Sequence, residues 1–179
     1  MARWSPVPKT REVTVFLCSA CGAALTRDLE RMTGALATDQ CDFRERDRET
    51  RRAPATVPPG FFAVDPEPWG APYVVRTDGE IRQCQPRSPS VSTEEGELES
   101  AGPRDTVVLN PDEIAGLAVI RERSDGCCGP IGRRGPNRAC RCGSPVATLA
   151  ADCYGPYEVH LDPARTRTRA GADGGPVHT

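Results

Sequence analysis

Bulky apolar side chains are scarce in this chain of 179 residues: it has 4 Phe, 2 Trp, 3 Tyr and 2 Met, and hydrophobic residues of every kind reach only 37%. Such a chain can build a modest core, so a second source of stability is expected beside hydrophobic burial. Lysine is nearly missing, with Lys9 the only one among 23 basic residues. That bias toward arginine reflects GC-rich coding more than phosphate recognition. Histidine is confined to His160 and His178, which leaves little for an imidazole-based catalytic centre. The net charge of −2 gives no overall pull toward nucleic acid or an anionic membrane.

Several function classes lack their signatures. There is no G-x-S-x-G nucleophile turn, no phosphate-binding G-x-x-x-x-G-K-[ST] loop, no dinucleotide fingerprint and no zinc-deaminase pattern. "GPIGRRG" is glycine-rich but has no lysine and opens no evident helix. No apolar run approaches the length of a membrane span. The start, "MARWSPVPKTREVTVFL", lacks the apolar stretch and cleavage site of a secretory signal. The expected setting is therefore cytoplasmic, where clustered thiols serve metal or redox chemistry more than disulfides.

What the chain does have is 18 prolines, 17 glycines and 9 cysteines. Residues 1–11 are expected to be a mobile start, 12–162 a single domain, and 163–179 a disordered tail. "EVTVFL" reads as a strand, and "TRDLERMTG" as one or two helical turns with Leu29 and Met32 on one face. Residues 42–56 form a mixed-charge run expected to be a solvated loop. Phe61–Val64 and Tyr73–Val75 read as strands, and 83–104, rich in Ser, Pro and Glu, as a disordered insert. In "TVVLNPDE" the strand Val107–Leu109 is followed by Asn110, an N-cap, then by Pro111 and by Glu113 in capping-box position, so a short helix is expected there. "PVATL" and "YEVHL" read as two further strands.

The cysteines carry the chemistry. Cys18-x2-Cys21-Gly22 follows a strand, and Cys140-x-Cys142-Gly143 leads into one. Close spacing turns two sulfurs toward one point, and a following glycine at positive φ lets backbone N–H groups reach the thiolates. Cys127, Cys128 and Cys153 lie near the second pair in sequence. Neighbouring side chains diverge in extended structure, so one of the vicinal pair is expected to ligate and the other to pack. Three arrangements follow. One zinc is held by Cys18, Cys21, Cys140 and Cys142, or one by a C-terminal set drawn from Cys127, Cys128, Cys140, Cys142 and Cys153, or two zincs share all seven positions; the first is favoured. Cys41 and Cys84 sit in charged or linker sequence and are read as incidental.

Arg133, Arg134, Arg138 and Arg141 surround this segment. They suit a set of cations and donors around the sulfurs that offsets thiolate charge, and a nucleic-acid contact through them is the alternative. The two glycine-terminated cysteine turns resemble the zinc-ribbon class, departing from it in the one-residue spacing of the second turn and in the more than one hundred residues between the turns. That resemblance implies a small β-rich (α+β) domain with irregular loops, one or two short helices and bound Zn2+. The segment "GCCGPIGRRGPN…CRCGSPVATLAADCYGPYEVHLDP", with "GFFAVDPEPWGAPYV" and "TVVLNPDE" before it, also resembles a group of uncharacterised actinomycete proteins, which implies no activity.

The sequence thus points to a non-enzymatic zinc-binding protein, its metal structural, acting as an interaction module toward an unidentified protein partner. A nucleic-acid-binding or thiol-redox-responsive regulator is the alternative, with the vicinal pair and Cys153 as resolving thiols. A catalytic metal would need an open position and His160 as a ligand; a lone strand histidine is more often packed.

Overall fold

The computed structural model describes residues 12–34, 36, 46–76, 91–94, 96–114, 116–153 and 155–171. Twelve strands follow in chain order: β1 Val13–Cys18, β2 Leu29–Arg31, β3 Phe61–Asp65, β4 Tyr73–Val75, β5 Val91–Thr93 and β6 Gly96–Ser100. After these come β7 Thr106–Leu109, β8 Ala118–Val119, β9 Arg138–Ala139, β10 Pro145–Ala150, β11 Glu158–Leu161 and β12 Thr166–Ala170. Nine of them form one mixed sheet in the order β12-β1-β2-β3-β7-β11-β10-β9-β8, and β4-β6-β5 form a small antiparallel sheet. Among the named strands of the large sheet, β2 and β3 pair in parallel and the other neighbours antiparallel.

This architecture corrects the expectation of a small zinc-ribbon-like domain with one or two helices. The chain between the two cysteine turns is no loop insertion, since it supplies most of the strands of the nine-stranded sheet. Helix among the described residues is limited to two 3-10 turns, Pro111–Ile114 and Arg121–Arg123. Asn110 does cap the first, its Oδ1 accepting from the Asp112 N–H at 3.0 Å. Glu113 does not close a capping box, because its carboxylate accepts from Arg27 and from the Gly60 N–H.

The central strands are buried on both faces, and the two-residue period of a strand sorts their side chains. Phe62, Leu109, Val159 and Leu161 enter one apolar cluster together with Phe16 and Leu29. Phe16 and Phe62 meet edge to face at 5.1 Å, a favoured aromatic geometry. On the opposite face Ala63 and Val108, paired in register, pack with Val57 and Met32. Leu29 and Met32 therefore lie in different clusters, as residues of odd spacing do on a strand. The helical reading of "TRDLERMTG" fails for this reason: β1 and β3 offer hydrogen-bonding edges on either side of Leu29–Arg31.

The large sheet is curled. Five strand-to-strand steps separate β1 from β10, about 24 Å on a flat sheet at the usual spacing. Yet Phe16 of β1 and Val146 of β10 belong to one buried cluster. A short turn, Asp162–Arg165, carries the chain from β11 in the middle of the sheet to β12 at its edge. Its Arg165 N–H donates to the Asp162 carbonyl at 3.0 Å, and the Thr166 hydroxyl donates to the same oxygen at 2.9 Å.

Two segments expected to lack structure contain strands. From 83–104, β5 and β6 pair with each other and β6 with β4, and buried Ser100 donates to the Gly70 carbonyl at 2.6 Å. From the tail, β12 pairs with β1 over five residues. Its Thr-Arg-Thr-Arg alternation suits an exposed edge, where charge discourages further pairing.

Candidate metal centre

The first cysteine turn closes the end of β1. The Cys18 N–H donates to the Ala23 carbonyl and the Gly22 N–H to the Cys18 carbonyl, both at 2.8 Å. The second turn repeats the pattern between β9 and β10: Cys140 N–H to Ser144 carbonyl and Gly143 N–H to Cys140 carbonyl, again at 2.8 Å. Gly22 and Gly143 sit at φ 72° and 85°, the left-handed conformation the turns need. Backbone N–H groups then reach sulfur, Ala23 donating to Cys21 and Cys142 to Cys140.

Curling of the sheet brings the two turns together. The sulfurs of Cys18, Cys21, Cys140 and Cys142 all lie within 4.8 Å of one another. Cys18 Sγ is 3.8 Å from Cys142 Sγ, and Cys21 Sγ is 3.6 Å from Cys140 Sγ. A tetrahedral ion with metal–sulfur bonds of about 2.3 Å has sulfur–sulfur edges of about 3.8 Å. The contacts are far too long for a disulfide, near 2.05 Å, and the cysteines are free. Cys18 and Cys140 are buried, while Cys21 and Cys142 are exposed, so one side of the site faces the core and the other solvent.

The electrostatics favour a cation. The Ala23 N–H, then the neighbouring thiols led by Cys142, lower the Cys21 thiol to about 7. Burial pushes Cys140 up to about 11. A cation seated among four sulfurs offsets that burial cost for the thiolate and releases the proton. Arg167 lies alongside: its Nη2 would be 3.1 Å from a Cβ at Gly22. That cation escaped the sequence reading because it belongs to β12, and only the pairing of Cys18 with Thr166 places it there.

The other cysteines gather separately. Cys127, Cys128 and Cys153 form a second group whose sulfurs lie within 4.8 Å of one another. The vicinal pair does not diverge as expected. Asp152 Oδ2 accepts from both the Cys127 and Cys128 N–H groups, at 2.8 and 3.0 Å, folding the dipeptide into a turn that leaves its sulfurs 3.9 Å apart. Cys41 and Cys84 lie outside the described residues.

The arginines divide. Arg133 and Arg134 share the Asp125 carboxylate, at 2.7 and 3.2 Å. Arg138 donates to the Asn137 carbonyl at 2.8 Å, and Arg141 sits exposed inside the second turn. "GPIGRRG" lies against an aromatic ring, for a Cβ at Gly132 would be 2.8 Å from Trp69 Cη2.

His160 has both ring nitrogens engaged. Nδ1 is 2.7 Å from the Thr106 hydroxyl and Nε2 is 2.8 Å from Glu158 Oε1. The ring stacks on Trp69 with centroids 3.7 Å apart. All three polar residues are buried, and the adjoining cavity of about 20 Å3 has room for a water. His160 is a packed residue, held inside a hydrogen-bonded chain.

Fold and site together define a β-rich protein with clustered cysteines that can hold a metal ion. No protein-family model, curated protein or solved structure matches the chain. Among the described residues, no helix is long and apolar enough to cross a membrane.

Proposed function

We propose that the protein is a non-enzymatic, cytoplasmic zinc-binding protein in which Cys18, Cys21, Cys140 and Cys142 hold one Zn2+ that fastens the curled sheet. The observation that carries the reading is the four-sulfur arrangement, with edges of 3.8 and 3.6 Å against about 3.8 Å for tetrahedral zinc. An all-sulfur set of four suits zinc among divalent ions, and a closed set of four thiolates is the structural type of site, with no position left for water or substrate. Closure links residues 119 positions apart, where a cross-link removes the most chain entropy from the unfolded state. A reducing compartment keeps the thiols available.

The role that follows is that of an interaction module. The ion pairs of Arg133 and Arg134 with Asp125 weigh against the nucleic-acid alternative, since a phosphate would have to displace a carboxylate already in place. Metal analysis of the purified chain tests the proposal. One zinc per chain is expected, lost with Cys140→Ser. A chain that takes up no zinc and keeps every thiol free would overturn it, as would iron in place of zinc.

A further inference from the structure

Cys127, Cys128 and Cys153 remain unused by that function, and their geometry differs from the four-sulfur centre in ways that matter chemically. Three sulfurs converge within 4.8 Å, and no fourth Cys, His, Asp or Glu among the described residues joins the group. The nearest carboxylate, Asp152, is committed on one oxygen to the two N–H groups of the vicinal pair. Its other oxygen lies 3.7 Å from Cys153 Sγ. The scaffold is tight: a Cβ at Gly129 would be 2.4 Å from the Ala151 carbonyl oxygen, and the Ala151 N–H donates to the Pro130 carbonyl at 2.8 Å. The "GCCG" turn is thus pinned to the end of β10, beside Asp152 and Cys153. Cys127 and Cys128 are exposed, whereas Cys153 is buried. A ligand can enter from solvent and finds its third sulfur at the base of the site.

We propose that these three cysteines form a second, exchangeable site for a soft thiophilic ion satisfied by three sulfur ligands, with trivalent arsenic as the matched occupant. Zinc prefers a fourth ligand, which this group does not provide. Sulfur selects soft ions, and charge selects among them. Three thiolates beside the buried Asp152 carboxylate amount to a formal −4. A monovalent ion leaves −3 there, a divalent ion −2 and a trivalent centre −1, so the trivalent occupant best relieves the repulsion. Loading by arsenite balances without an oxidant. Each As–OH bond of As(OH)3 is exchanged for an As–S bond, the thiol proton leaves with the hydroxide, and three waters are released with arsenic still trivalent.

The test uses the full-length protein carrying its zinc, titrated with sodium arsenite and followed by native mass spectrometry and calorimetry. One equivalent of arsenic should bind with zinc retained, the mass rising by one As less three H. Cys128→Ser, at an exposed position, and Cys153→Ala should each weaken binding by about a hundredfold or more, because each removes a ligand already held in place. Both variants should keep one zinc and the wild-type circular dichroism. Arsenic uptake only with expulsion of zinc would overturn the assignment, as would unchanged affinity in Cys128→Ser. A second zinc in the wild-type protein that depends on Cys153 would also overturn it. Failure of the four-cysteine reading looks different: a chain without zinc that still takes arsenite through these three sulfurs loses that reading and keeps this one.

Discussion

The two cysteine clusters are built from the same side chain and differ in where the chain brings their sulfurs from. Cys18 and Cys142 stand 124 positions apart and meet only because the nine-stranded sheet curls. Cys127, Cys128 and Cys153 come from one turn and the adjacent end of β10. An ion among the first four stabilises the whole fold, since it joins segments that are far apart in the unfolded chain. An ion among the other three joins a turn to a strand that already holds it through Asp152. Sequence separation therefore makes one cluster a fastening and leaves the other free to fill and empty.

The largest effect expected from this contrast is on stability. Stripping zinc, or Cys140→Ser, should cost about 4–5 kcal/mol, the entropy of closing a loop of this length. In calorimetry that is a fall in melting temperature of about 10 °C or more. Saturating or emptying the three-cysteine site should leave the melting temperature within a few degrees. A similar cost for both would dissolve the distinction.

Next comes the strand that carries the second cysteine turn. Asn137 is fully buried just before β9; its Nδ2 donates to the Leu149 carbonyl at 2.9 Å and its Oδ1 accepts the Leu149 N–H at 2.8 Å. The side chain continues the β9–β10 ladder beyond its last register pair, Arg138 with Ala147. Asn137→Ala strands both backbone groups and should cost about 2–3 kcal/mol in urea unfolding. Because β9 leads into Cys140, this variant should also bind zinc more weakly, while its arsenite affinity stays unchanged.

A smaller effect distinguishes pH dependence from metal loss. The Arg27 guanidinium, donating to Glu113 at 2.7 and 2.8 Å, holds the Glu113 carboxyl below its ordinary 4.5. A depressed folded-state value stabilises the protein above the ordinary carboxylate pKa, and the stabilisation disappears as pH falls through the folded value. Arg27 is largely exposed, so solvent screening keeps the effect modest. Glu113→Gln should be less stable than wild type at pH 7 and equal to it once the acid is protonated, as acid titration of apo-protein would show. The smallest effect belongs to Cys128→Ser, whose melting temperature should stay within about 2 °C of wild type.

Much of the four-sulfur centre was legible before the structure. Two short-spaced cysteine pairs, each ending in glycine, announce thiolate turns wherever they occur, and local spacing decides that. β1, β3, β7, β10 and β11 were legible too, because β-branched and aromatic residues gather there. Convergence of the vicinal pair was not. It depends on Asp152 receiving two N–H groups, a contact across 25 positions that no local pattern encodes. "TRDLERMTG" looked helical because Leu29 and Met32 are spaced to share one helix face, and tertiary pairing overrode that preference. β12 was hidden by its arginines: four of its five residues are exposed, so it has no apolar face to betray a strand.

The position of the partners along the chain sets an order of events during synthesis. Cys18 and Cys21 leave the ribosome first, and the residues that complete their site follow about 120 positions later. At 5–20 residues per second that interval is roughly 6 to 25 s. Throughout it β1 also lacks β12, the outer neighbour that its register requires. The nascent chain therefore carries an early pair of bare thiols and an unpaired strand edge until β12 emerges. That makes the newborn polypeptide, more than the finished protein, the form most exposed to mismetallation and to capture by chaperones.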